Sequence, residues 1–166
     1  MPQEIKKIPI VIASILKPVD DTRMFWKLAS TIGKIPDAEI TLIGYPTRNS
    51  ALPSGFNFLP FKSFNRLGLG RVFARFTFLQ KTIALKPRLI ILTTHELLLV
   101  SVIAKWLTGC KLIYDVQENY YRNILHSPTF PPIIKHVVAL MVRLKEKLTS
   151  HAIDHFFLAE ATYQTE

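Results

Sequence analysis

Two stretches of this 166-residue chain end in the same way. Arg88 to Glu96 reads RLIILTTHE, and Lys111 to Asn119 reads KLIYDVQEN. Each is a short apolar, β-branched run that stops at polar side chains. A buried parallel strand looks like this at its C-terminal end. In an open α/β sheet that end is where ligands bind. His95 and Glu96 close the first run; Asp115, Gln117, Glu118 and Asn119 close the second. An imidazole can donate, accept or move a proton, a carboxylate can orient a hydroxyl or act as a base, and an amide can only hydrogen-bond. Buried strand ends seldom carry four polar groups within five positions without a use. Glu118 is the leading candidate for an orienting carboxylate or base, with helix capping as its plainer alternative. Glu96 would also suit a helix's first turn, where a negative charge favours the dipole.

The elements that must hold these tips alternate along the chain. Ile8 to Leu16 reads as a buried strand, broken by Lys17-Pro18. Asp20, Asp21 and Thr22 offer N-caps for a helix to about Ile32, with Met24, Phe25, Leu28 and Ile32 as its apolar stripe. Glu39 to Gly44 is a second strand, and Phe56 to Pro60 a short edge strand. Phe64 to Leu85 reads as helix, with Phe73, Phe76 and Phe78 at helical spacing and so in the core. Glu96 to Leu107 reads as a well-buried helix, and Tyr120 to Pro132 as an irregular loop. Ile133 to Leu148 is an amphipathic helix: Ile133, Val137, Leu140, Met141, Leu144 and Leu148 form one stripe, with Lys135, Arg143 and Glu146 opposite. Ala152 to Leu158 is a last strand, and Ala159 to Glu166 opens a further helix. Strand–helix alternation with β-branched strands predicts one α/β domain over residues 1–166, a doubly wound, mainly parallel sheet with helices on both faces. The final helix stops without a cap, which suggests a piece of a longer chain.

Composition narrows the class. Hydrophobic residues make up 49% and charged residues 20%, a globular balance. A single cysteine, Cys110, excludes an intrachain disulfide and any cysteine-rich metal site. The start MPQEIKK does not read as a signal peptide, and no apolar run is long enough to span a bilayer. The net charge of +9 is uneven: no Asp or Glu lies between Glu39 and Glu96, whereas Arg48, Lys62, Arg66, Arg71, Arg75, Lys81, Lys86 and Arg88 do. Such a block points to an anionic partner or to a solvated basic face.

The ordered set of motifs resembles a known family. A first strand followed by a D-D-T-R helix, then KPRLIILTTHELLL, KLIYDVQENY, a basic amphipathic helix and AIDHFFLAEATY is similar to the N-terminal domain of family 4 glycosyltransferases, two-domain enzymes of GT-B architecture. The resemblance covers most of the chain and is weakest from Tyr45 to Leu85. It implies retaining transfer from a nucleotide-sugar donor, with no metal or other cofactor, to a glycan or lipid-linked acceptor. The acceptor would lie on this domain and the donor mainly on a second domain bearing an E-x7-E pattern, so this chain alone would be inactive. It also implies a bacterial-type, cytoplasmic enzyme of cell-envelope polysaccharide assembly, peripheral on the inner membrane face.

Two positions depart from that family's pattern. The loop after the first strand, LKPVDDTR, has no glycine, so Lys17 or Arg23 would have to handle phosphate in place of backbone N–H groups. Gln117 stands where the family commonly has histidine, and an amide cannot accept a proton as a base. On this reading Glu118, Gln117 and His95 are catalytic candidates, and Lys17, Arg23, Glu96, Asp115 and Asn119 substrate-binding ones. Arg66, Arg71 and Arg75 would face an anionic membrane.

Other classes fare less well. There is no P-loop, G-x-G-x-x-G or nucleophile elbow. His136, His151 and His155 lack metal-ligand spacing with acids or cysteines. A nucleic-acid-binding module is suggested by the interleaved arginines and phenylalanines, but their helical spacing favours core, so no nucleic-acid partner is expected. A small-molecule-binding α/β domain of receiver or flavodoxin type is a further alternative; a receiver would need an acidic cluster after its first strand, which Asp20-Asp21 half match, and an Asp after its third, which is missing.

Overall fold

The computed structural model describes residues 7–49, 51–65, 68–128 and 131–160. Six strands form one sheet: β1 (Ile8–Pro18), β2 (Ala38–Tyr45), β3 (Asn57–Phe58), β4 (Leu89–Leu92), β5 (Lys111–Val116) and β6 (His155–Leu158). Their order is β3-β2-β1-β4-β5-β6, and every neighbouring pair is parallel. This is the Rossmann-like doubly wound arrangement expected from the alternating pattern. The order reverses between β1 and β4, so a crevice opens at the C-terminal ends of those two strands.

The helices are α1 (Thr22–Ala29 in wide π-type turns, then Ser30–Ile32), α2 (Gly70–Leu85), α3 (Leu98–Thr108), α4 (Tyr120–His126) and α5 (Pro132–Ser150). A single 3-10 turn, His95–Leu97, leads into α3. Strand alternation sends one set of β1 side chains to each face. Ile10 and Ile12 pack with Met24, Phe25 and Ala29 of α1. Val11, Ala13 and Ile15 pack with Ala74 and Phe78 of α2 and Val102 and Ala104 of α3. Both faces are thus covered, and the core is two apolar layers divided by the sheet.

Asp21 caps α1 as expected, its carboxylate accepting from the Arg23 and Met24 amides at 3.0 and 3.1 Å. Four other expectations need correction. β1 runs on through Lys17 and Pro18 across a bulge, with Pro18 opposite Tyr45. The close approach needs Gly44, where a Cβ would lie 2.8 Å from the Lys17 carbonyl. α2 starts at Gly70, not Phe64, because the Tyr45 hydroxyl takes the Phe64 carbonyl at 2.7 Å and Phe64 packs beneath the loop. Residues Tyr120 to His126 form a helix, not a loop, started by Asn119, whose side chain accepts from the Arg122 amide at 2.9 Å. The last strand is confined to His155–Leu158; of the helix expected over Ala159 to Glu166, Ala159 and Glu160 are not helical and residues 161–166 lie outside the described residues.

The largest correction concerns which way helices face. α5 buries Ala139, Val142 and Thr149, not its apolar stripe. Ile133, Val137, Leu140, Met141, Leu144 and Leu148 are all exposed. On α3, Leu99, Ile103, Trp106 and Leu107 are exposed although the helix was expected to be well buried, and on α2 Phe73 and Phe76 point outward while Phe78 alone of the three is core. The inner side of α5, which packs against α4 and α3, carries Ala139, Val142 and Thr149.

Candidate functional site

The predicted tips meet at the C-terminal edge of the sheet, sorted into three groups. The first spans the crevice. The Lys17 ammonium donates to Gln117 Oε1, and Gln117 Nε2 donates to Asp115 Oδ2 at 2.7 Å. Arg23 donates Nε to Asp115 Oδ2 at 2.7 Å and Nη2 to Oδ1 at 2.5 Å, a two-pronged pair. Asp115 is wholly buried. That hydrogen bond, opposed by burial, raises the Arg23 pKa above its ordinary value. The chain Lys17–Gln117–Asp115–Arg23 therefore ties β1, the first turn of α1 and β5 together. Both cations expected to handle phosphate already have partners within the fold.

The second group surrounds the end of β4. Glu96 is buried, and Arg71 of α2 grips it through Nε at 2.6 Å and through Nη2. Arg75 Nη2 approaches the same carboxylate at 3.7 Å. Arg71 and Arg75, expected to project toward a membrane, are instead drawn inward by this acid. Arg66 lies outside the described residues. His95 Nδ1 is 2.7 Å from the Lys145 ammonium of α5, and its ring stands edge-on to Tyr120 at 4.4 Å. An ammonium can only donate, so His95 accepts through Nδ1 and is neutral, with its proton on Nε2. Burial, then the charges of Lys145, Arg71 and Arg75, hold its pKa down at about 3. His95 can thus donate a hydrogen bond through Nε2 but is a poor base, which narrows the catalytic role considered for it.

This burial has a pH signature. An unfolded chain takes up the His95 proton near the ordinary value of 6.5, whereas the folded chain resists until about 3. The contribution is complete above pH 6.5 and drains away as pH falls toward 3. In His95→Gln the acid limb of the stability profile should be shallower than in the unmodified chain, measured as the difference in melting temperature between pH 7 and pH 4. Parallel profiles for the two proteins would show that the imidazole is not held neutral.

The third group lines a cavity of about 670 Å³ between the ends of β5 and β6 and helices α4 and α5. Glu118 and Asn119 form part of its rim with Tyr120, Arg143, Glu146 and Phe156. Glu118 is exposed, its carboxylate accepting from Asn123 Nδ2 at 3.0 Å. Tyr114 donates its hydroxyl to Glu146 at 3.1 Å; burial pushes both pKa values up. Arg143 lies over the Tyr121 ring, 5.9 Å from its centroid.

No known protein-family model matches the chain, and no curated protein matches it. Its chemistry therefore has to be read from the side chains themselves. Among the described residues, no three His, Cys, Asp or Glu side chains gather as a metal site. Sequence reading located the strand tips but not the partners that α5 brings to them, Lys145, Glu146 and Arg143. A signal existed: Val138, Val142, Lys145 and Thr149 follow the i, i+4, i+7, i+11 spacing of an inward face. It was outweighed by the stronger apolar stripe beside it.

Proposed function

We propose that the chain is the acceptor-side domain of a retaining glycosyltransferase of GT-B architecture, working with a second domain that holds most of the nucleotide-sugar donor. The observation that carries this reading is the cavity between the ends of β5 and β6 and helices α4 and α5. At about 670 Å³ it suits a small ligand or a few sugar rings. Tyr120 and Phe156 offer apolar ring surface, and Glu118, Asn119 and Arg143 offer polar groups for hydroxyls. The loop after β1 supports the division of labour: it lacks glycine, and Asp115 fills the Nε and Nη2 fork of Arg23. In this reading Glu118 orients or deprotonates the attacking hydroxyl, and the His95 Nε2–H donates to substrate.

The test is Glu118→Gln in the two-domain enzyme. The side chain is exposed, so the fold should be unaffected, and transfer should fall about a hundredfold if the carboxylate acts on a proton in the transition state. The 166 residues alone should transfer no sugar from any nucleotide-sugar. Undiminished transfer by the variant removes Glu118 from the chemistry; transfer by the chain alone sinks the acceptor-side reading.

We further propose that the acceptor is met at an anionic membrane. No helix among the described residues is long and apolar enough to cross one. The exposed stripes of α3 and α5 instead suit shallow insertion. Helix α5 carries Lys135, Arg143 and Lys147 beside its exposed apolar stripe. That charge complements anionic headgroups. The outward residues are mostly Leu, Ile, Val and Met, which favours acyl chains over the stacked bases that a nucleic acid would present.

A further inference from the structure

We propose that Arg75, Lys145 and His95, backed by Arg71, form a binding site for a phosphoryl group at the C-terminal end of β4. These residues come from three separate elements: α2, α5 and the turn after β4. Their donors are not used up by the fold. Lys145 has three N–H bonds, and the one partner shown for it is His95 Nδ1. Arg75 reaches Glu96 only at 3.7 Å, and its buried Nε has no hydrogen-bond partner among the described residues. The hydroxyl of Thr94, immediately before His95, is likewise buried without one.

Charge points the same way. Arg71 and Arg75 share the single carboxylate of Glu96, Lys145 stands against His95, and His95 is neutral. Positive charge remains in excess even when Glu146, bonded to Tyr114, is counted. Burial and the neighbouring arginines press the Lys145 pKa down to about 8, so this ammonium lacks sufficient counter-charge. An incoming anion would supply it. Glu96 already fills the planar fork of Arg71. The donors left over come from α2, from α5 and from the turn, so separate oxygens of one phosphoryl group can each find one. The site needs no sugar donor, so it stands or falls independently of the glycosyltransferase reading.

The experiment titrates the 166-residue chain with inorganic phosphate, pyrophosphate and a short-chain phosphatidic acid below its micelle concentration. Chloride maintains the ionic strength, and calorimetry is paired with 15N shifts of the His95 ring. Binding should perturb the His95 ring and weaken about tenfold in Lys145→Gln and in Arg75→Gln, the loss expected for one charge-assisted hydrogen bond. Lys145→Arg, which keeps the charge, should stay within about threefold of the unmodified chain. Lys27→Gln, on exposed α1 surface, should change nothing. Melting curves in chloride establish that each variant folds. Dependence on Lys145 and Arg75 seen only with phosphatidic acid supports the site and assigns its source to a lipid; the same dependence with inorganic phosphate or pyrophosphate assigns a soluble one. Absence of binding by all three probes overturns the proposal, as does binding that ignores the Lys145 and Arg75 changes.

Discussion

Arg23→Met is expected to lower the stability of the fold by about 3–5 kcal/mol, the cost of leaving a buried charge without its partner. Asp115 has no solvent exposure, and Arg23, about 30% exposed at its side chain, is its cationic partner. Partial exposure of the guanidinium puts the effect toward the lower end of that range. For a chain of this length the melting temperature should fall by about 10 °C. Arg23→Lys should lie between the two, since an ammonium cannot make the two-pronged contact. Most of the loss should return in the double variant Arg23→Met, Asp115→Leu, because an apolar pair of similar bulk avoids the uncompensated charge. The residual deficit belongs to Gln117, which loses the acceptor for its Nε2. Chemical denaturation of the unmodified chain, Arg23→Met, Asp115→Leu and the double variant gives the coupling directly. If Arg23→Met costs less than about 1 kcal/mol, the pair is a solvent-screened surface contact and not the tie between α1 and β5 described above.

The second large effect concerns the outward stripe of α5. Leu140, Met141 and Leu144 are 64%, 65% and 53% exposed. Changing all three to Gln should leave stability within about 0.5 kcal/mol, as for surface positions generally. It should weaken binding to anionic vesicles by a hundredfold or more, since each side chain is worth roughly 1.5 kcal/mol or more when removed from water. The unmodified chain should sediment with anionic vesicles, bind neutral ones weakly and be released as salt rises, because each basic residue near the surface adds on the order of 1 kcal/mol that salt screens. Unchanged binding by the triple variant, or none by the unmodified chain, removes the membrane reading.

The strands were legible because β-branched runs ending in polar clusters have few other uses, and the strand expected over Glu39 to Gly44 is found as Ala38–Tyr45, one residue longer at each end. The doubly wound, parallel class of the sheet followed from the alternation. Which side of a helix faces inward was not legible on α5. The usual rule assigns the apolar stripe to the core. Here α5 buries Ala139 and Val142 instead, and Lys145 and Glu146 find polar partners on that inner side. Those partners, His95 and Tyr114, lie 50 and 32 positions away, beyond the reach of any local pattern. α4 was hidden for another reason: prolines and aromatics gave its segment a loop's composition, and the cap at Asn119 was the only local cue.

The central place of β1 sets a schedule for assembly. It pairs with β2 on one side, but its other edge waits for β4, some 80 positions later, as the bond from Thr93 to Ala13 shows. At roughly 5–20 residues per second on the ribosome, that edge stays open for several seconds. Its sequence, IPIVIASIL, is apolar and rich in β-branched residues, the composition most prone to pair with a stranger. Long-range parallel pairing is also slow to form from the unfolded chain. Recovery from denaturant should therefore decline steeply with protein concentration and improve with a holdase present, even though the finished sheet hides β1 between neighbours on both sides.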